Sequence, residues 1–308
     1  MFLLLAIVLF IADWLMPSLS TTTHTHPLFF KLSNIYSSDS WSISLFLFLV
    51  IGVVSLQWNH FLVDQGVLKN SGLLIASTYL IVASVFTASS IWVVTVIVLF
   101  LLQLLMSMYK KKSCYGNLYD AGCLVGLSII IYVPSVFFIP LIYLGILIYA
   151  NATWRTLIIP LIGLLTPFLF LLVYGYFFSQ LDQLAAYYFS YFNYPSLPSF
   201  WSVNTLIFLG TTAIVLLLCI VEILKWYGIK NLRSRKAYSL FVCYCMCVLL
   251  ALFFSHQQWN HLLLLALPIS VSFANYFLHA KKKWWYESAY VILFLVALYF
   301  KLSVYIES

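Results

Sequence analysis

From Gly72 to Tyr109 the chain runs for 38 residues without one charged side chain. A helix needs about 20 apolar residues to cross a hydrocarbon core of about 30 Å. This run is therefore long enough to cross twice, and its weak polar centre, Thr87-Ala88-Ser89-Ser90, is where the chain would turn back. Leu118–Tyr149 is a second long apolar run of 32 residues, with Asp120 its one charged side chain and Pro134 near the middle. It reads as a hairpin of two short helices, because one continuous helix would far exceed the bilayer.

Composition extends the point to the whole chain. Hydrophobic residues make up 64% of the 308 and charged residues 7%, with a mean hydropathy of +1.05. Soluble domains are roughly half apolar and about a quarter charged. A soluble fold is excluded, and so is a disordered chain, which needs low hydrophobicity. The net charge of +7 does not indicate nucleic acid as a partner, since the basic residues lie in short clusters between apolar runs and not on one exposed face. The six cysteines form no disulfide framework, and Cys243, Cys245 and Cys247 would point in different directions on a helix, so they cannot close on one ion.

The fold class expected is all-α: a polytopic transmembrane protein of about eleven spans, ten to twelve, forming a single integral membrane domain over 1–308. The first run, 1–18, is broken by Asp13 and stopped by Pro17; it reads as a span, with a cleaved signal peptide the alternative. Further spans are expected at about 43–57, in the pairs at 72–109 and 118–149, and at 156–178, 204–226, 237–255, 260–278 and 286–305. Two longer polar segments, about 19–42 and 179–203, would both lie on the outer face. In the first, Pro27–Ile35 reads as a short interfacial helix.

The basic residues give the orientation. With the N-terminus in the cytoplasm, Lys69, Lys110–Lys112, Arg155, Lys225, Lys230, Arg233, Arg235, Lys236 and Lys281–Lys283 are cytoplasmic, thirteen of the fifteen; Lys31 and Lys301 remain outside. That is the positive-inside pattern of a multi-span membrane protein. The C-terminus would then be on the outer side.

An ionisable group within or beside a span is costly and therefore a functional candidate. Asp13, near the outer end of the first span, and Asp39, after the interfacial helix, are candidate general bases. The polar loop Ser255–His261 carries His256 and His261, which would bind an anionic group such as a lipid phosphate. Aromatic side chains of Tyr187–Tyr194, Tyr187 and Tyr191 among them, would stack on a sugar or lie against a lipid chain. On the other face, Asp120 is expected to open a short helix, where an acid suits the dipole. Glu222 and Lys225, three apart, are expected to pair. No metal centre and no cofactor are expected; His24 and His26 alone make too few ligands.

Two stretches carry a resemblance. Leu-Tyr-Asp-Ala-Gly-Cys-Leu-Val-Gly-Leu (118–127), Tyr-Val-Pro-Ser (132–135), Trp154-Arg155 and Ile-Pro-Leu-Ile-Gly-Leu-Leu-Thr-Pro (159–167) resemble a family of bacterial multi-pass inner-membrane proteins of uncharacterised function, as does Leu265–Pro268 with Asn275-Tyr276-Phe277. The Gly-x-x-x-Gly-Leu opening with its proline-containing turn is also distantly similar to the mid-chain hairpin of class-C glycosyltransferases, polytopic enzymes that use polyprenyl-phosphate sugars. That similarity implies a catalytic carboxylate in the first outer loop, a part for Asp13 or Asp39, although no Asp-Asp or Asp-Glu pair follows the first span. The resulting expectation is a class-C-like membrane protein that acts on or binds a polyprenyl-phosphate-linked sugar at the outer face, with membrane lipids around it. The alternative is a non-enzymatic subunit or scaffold that docks other membrane proteins. Transport ranks third, because no midplane ionisable residue and no internal repeat stand out.

Overall fold

The computed structural model describes residues 40–68, 72–86, 90–109, 111, 114–150, 152–192, 203–226, 228, 231–255, 258–279 and 283–306. Asp13, Asp39, His24, His26, His256 and the segment Pro27–Ile35 lie outside them. Among the described residues there is no strand, and eleven helices have ten or more residues. They are α1 (Ser40–Asp64), α2 (Leu74–Ala83), α3 (Ile91–Ser107), α4 (Tyr115–Ile131), α5 (Ile139–Tyr149), α6 (Trp154–Phe177), α7 (Leu181–Phe192), α8 (Val203–Trp226), α9 (Leu232–Leu252), α10 (Ala266–His279) and α11 (Lys283–Ile306).

Four stretches are long and apolar enough to cross a membrane: Trp154–Phe177, Val203–Lys225, Leu232–Leu252 and Trp259–Leu278. The last runs from the helical turn Gln258–His261 through a 3-10 segment, Leu262–Leu265, into α10. The apolar helices of the two hairpins are shorter. Ten-residue α2 rises only about 15 Å at 1.5 Å per residue, half of a hydrocarbon core. The 118–149 stretch does divide in two, with Val133–Phe138 as a 3-10 turn and Pro134 in its first positions.

Small residues set the closest packing. In α4, Gly122 and Gly126 are four apart, and both lie against α6. A Cβ built on Gly122 would sit 2.1 Å from the Pro160 carbonyl oxygen, and one on Gly163 of α6 would sit 2.2 Å from that of Tyr119. The two backbones touch, which only glycine permits and which is the usual device where helices pair in lipid. Tyr119 Oη and Thr166 Oγ1 add a hydrogen bond of 3.0 Å across the pair. The family-like stretch 118–167 is thus the α4–α6 contact. A capping box fixes where α6 begins: Thr153 N donates to Thr156 Oγ1 at 2.9 Å and Thr156 N returns the bond.

The rest of α6 is turned outward. Its buried positions are Thr156, Pro160, Gly163, Pro167 and Gly175, while Leu161, Leu165, Leu169, Phe170 and Phe177 are exposed. Large apolar side chains outside and small ones inside reverse the soluble pattern and match a lipid solvent. On the far side, α10 runs against both α2 and α8, and α9 packs on α5 and the 3-10 turn. Trp58 of α1 is fully buried and donates Nε1 to the Leu267 carbonyl at 3.3 Å; Thr78 of α2 donates to that of Ser270 at 3.2 Å.

Three expectations are corrected. The second span does not stop at 57, because α1 continues to Asp64. It ends in a Schellman motif, with Gly66 at φ 64°, Gly66 N donating to Val63 O at 2.9 Å and Val67 N to Leu62 O at 3.1 Å. Asp120 does not open a helix: α4 starts at Tyr115, so Asp120 lies beyond the first turn, where the dipole effect has faded. The segment after α6 is not all loop, since it contains α7. Glu222 and Lys225 do pair, at 3.2 Å.

Candidate functional site

Polar side chains concentrate at both ends of α9. At its C-terminal end, α4 is halted by Tyr132, which is extended (φ −146°, ψ 103°), and by Pro134, which has no amide to offer. The Ile130 carbonyl therefore lacks its helical donor. The Tyr188 hydroxyl of α7 donates to it at 3.2 Å, so α7 is tied to this end of the bundle. Burial raises the Tyr188 phenol above its ordinary value, so it is held as a donor.

Two residues further on, the Tyr132 hydroxyl is buried between Ser255 Oγ, at 2.5 Å, and His261 Nδ1, at 2.7 Å. His261 Nε2 lies 2.9 Å from the Val248 carbonyl. A carbonyl only accepts, so Nε2 carries the proton and Nδ1 accepts from Tyr132. The Tyr132 oxygen then accepts from the Ser255 hydroxyl. The chain of bonds runs Ser255 to Tyr132 to His261 to Val248, every link buried. Such a network rigidifies the junction of α4, α9 and the 258–265 turn.

The residues proposed from sequence distribute as follows. His261 is 0% exposed with both ring nitrogens engaged, so it stands inside the bundle and not in a solvated loop. Tyr187 is half-buried in α7, its ring edge-on to Tyr188 at 5.5 Å. Tyr187 and His261 thus share one end of the molecule, linked through Tyr188, Ile130 and Tyr132. Tyr191 belongs to the same helix, α7. Tyr132 and Ser255 are additions to this set. A polar residue immediately before the Val-Pro turn and another at the close of a span are the signals that mark them.

The N-terminal end of α9 is the second concentration. Ser234 donates to the Gly66 carbonyl at 3.3 Å and Arg233 Nη2 to Gln65 Oε1, joining α9 to the end of α1. Arg233 and Lys236 lie over the Tyr109 ring at 5.7 and 5.6 Å, and Lys236 lies 5.9 Å from that of Tyr149. Beside them, the end of α1 and the start of α2 enclose a groove of about 570 Å3, lined by Leu56, Gln57, Asn59, His60, Val63, Asp64, Gly72 and Leu73. None of these residues is a site candidate in the sequence reading. The signal for Gln57, Asn59 and His60 is a repeat: Gln-Trp-Asn-His occurs at 57–60 and again at 258–261. Among the described residues no group of three His, Cys, Asp or Glu could hold a metal ion.

No curated protein and no solved structure matches the chain. One family model does, over residues 4–306, and so nearly the whole length. The chain belongs to that family, DUF6427, a family of unknown function.

Proposed function

We propose that this is an integral inner-membrane protein of about eleven crossings that binds a lipid-linked sugar at the Tyr132 end of the bundle, that end facing outward. The observation that carries the reading is the placement of α7. An amphipathic helix rich in aromatic residues is bonded through Tyr188 to the end of the α4 hairpin, directly above the buried Tyr132–Ser255–His261 chain. Aromatic faces at a membrane surface suit sugar rings and polyprenyl chains alike. Arg155 at the N-terminus of α6, and Arg233, Arg235 and Lys236 at that of α9, belong to the opposite end, which favours that end as the cytoplasmic one. His261 acts here as a positioning residue for Tyr132, because its nitrogens have no free valence for a phosphate.

Sugar transfer would need a carboxylate, and Asp13 or Asp39 would supply it. The carboxylate takes the acceptor hydroxyl proton as the acceptor oxygen bonds to the sugar anomeric carbon, whose bond to the polyprenyl-phosphate oxygen breaks. The test is mass spectrometry of lipids that co-purify with the full chain, followed by a transfer assay with the sugar donor so identified. The expected result is a polyprenyl-phosphate sugar, and transfer lost in the Asp13→Asn, Asp39→Asn double variant. Absence of any lipid-linked sugar overturns the binding reading; undiminished transfer in the double variant overturns the assignment of the base.

A further inference from the structure

The groove at the end of α1 has a buried polar side chain in its wall. Asn59 is 7% exposed, and its amide nitrogen donates to the Gly72 carbonyl at 2.7 Å. That bond fixes the amide, and Asn59 Oδ1 is left buried with no partner. Buried acceptors without partners are rare because each costs a desolvation penalty. One turn along, His60 Nδ1 meets Asp64 Oδ2 at 3.0 Å. A carboxylate only accepts, so Nδ1 carries the proton. Asn59, His60 and Asp64 stand at i, i+1 and i+5 and line the groove together with Leu56 and Val63. The groove therefore offers two acceptors, Asn59 Oδ1 and the second Asp64 oxygen. They carry one net negative charge and are rimmed by the apolar side chains of Leu56, Val63 and Leu73.

We propose that this groove binds the primary ammonium group of an amphipathic ligand. An ammonium has three N–H donors and one positive charge, so it can donate to the Asn59 oxygen and the Asp64 carboxylate and complements the latter's charge. A hydroxyl brings one donor and no charge, and a quaternary ammonium brings charge without donors. The apolar rim, at the end of a bundle whose outer surface suits lipid, fits the glycerol and first acyl carbons of an aminophospholipid. A free amine would supply the same head chemistry without the apolar part. The site lies at the opposite end of α9 from the lipid-linked-sugar site and stands or falls independently of it.

The experiment uses the purified full chain in a neutral detergent. Short-chain phosphatidylethanolamine or phosphatidylcholine is added at equal concentration, and the bound lipid is counted by native mass spectrometry. The expected preference for the ethanolamine lipid is about tenfold, the worth of one charge-assisted hydrogen bond. Asp64→Asn should remove it. Asp64 is largely exposed, so this variant keeps the fold, which thermal unfolding will verify. Asn59→Leu fills the same space without the acceptor and should also abolish the preference. Competition by free ethanolamine at millimolar concentration assigns recognition to the amine alone; failure to compete, with the preference intact, assigns it to the lipid, and both support the site. Equal retention of the two lipids, or a preference that survives Asp64→Asn, overturns it.

Discussion

The two Gln-Trp-Asn-His segments have the same four side chains and opposite endings. Both asparagines are buried, Asn59 and Asn260 alike. Trp58 is wholly enclosed and donates to Leu267 O, while Trp259 is half-buried and stacks on Phe300 at 5.1 Å. The histidines diverge most. His60 has 81% of its side chain exposed and faces a groove; His261 is 0% exposed and holds Tyr132. Segment 57–60 lies within the regular helix α1, before its last turn, whereas 258–261 forms the bend between α9 and α10, bonded to the end of α4 through Tyr132. Identical local chemistry becomes a structural joint in one place and a ligand-facing surface in the other. The packing partners decide which, not the tetrapeptide.

The strongest way to break this contrast is to remove each imidazole. His261→Ala should destabilise the protein by about 3–5 kcal/mol, since it opens a cavity in the packed interior and removes the acceptor of the Tyr132 hydroxyl proton. Thermal unfolding in detergent, followed by tryptophan fluorescence, reads the cost. A loss comparable to that of an exposed-residue variant would mean that His261 is not the joint described. Tyr132→Phe comes next, at about 1–3 kcal/mol, because it leaves Ser255 Oγ and His261 Nδ1 without the partner they share. The same melt measures it, and Ser255→Ala in that background should cost little more, since the bond is already gone. Tyr188→Phe should cost about 1 kcal/mol and, more diagnostically, loosen α7: hydrogen exchange at Leu181–Phe192 should rise while α4 keeps its protection.

How far these ends are legible in sequence follows from the same residues. The division of 118–149 into two helices is legible, because Pro134 can neither donate nor continue a helix. The α4–α6 contact is marked by Gly122, Gly126 and Gly163, although spacing alone does not say which helix they meet. The end of α1 is misread because hydropathy falls at Gln57, Asn59 and His60 while helix formation does not. Nothing between Trp58 and Gln65 breaks a helix, and Gly66, the residue that does stop it, is the better marker. The interior place of His261 is not legible at all. A loop reading weighs the polarity of Ser255–His261, but the structure bonds Ser255 and His261 to Tyr132, and His261 also to a backbone carbonyl, which removes the reason for these two to seek water.

The smallest effect is the sharpest on the other side of the comparison. His60 and Asp64 form an i, i+4 pair with 81% and 59% of their side chains exposed. Such pairs are worth about 0.2–0.5 kcal/mol and are screened by salt. His60→Ala and Asp64→Asn should therefore each shift stability by no more than about 0.5 kcal/mol, within the scatter of a detergent melt. A double-mutant cycle at low and high salt should find the coupling only at low salt. Should either single variant unfold the protein as His261→Ala does, then His60 would be a joint after all, and the groove it lines would be part of the packing. A near-neutral result separates the two histidines by most of the His261 cost. It leaves the buried, unpartnered Asn59 oxygen beside a carboxylate that the fold does not need, a combination that stability alone gives no reason to keep.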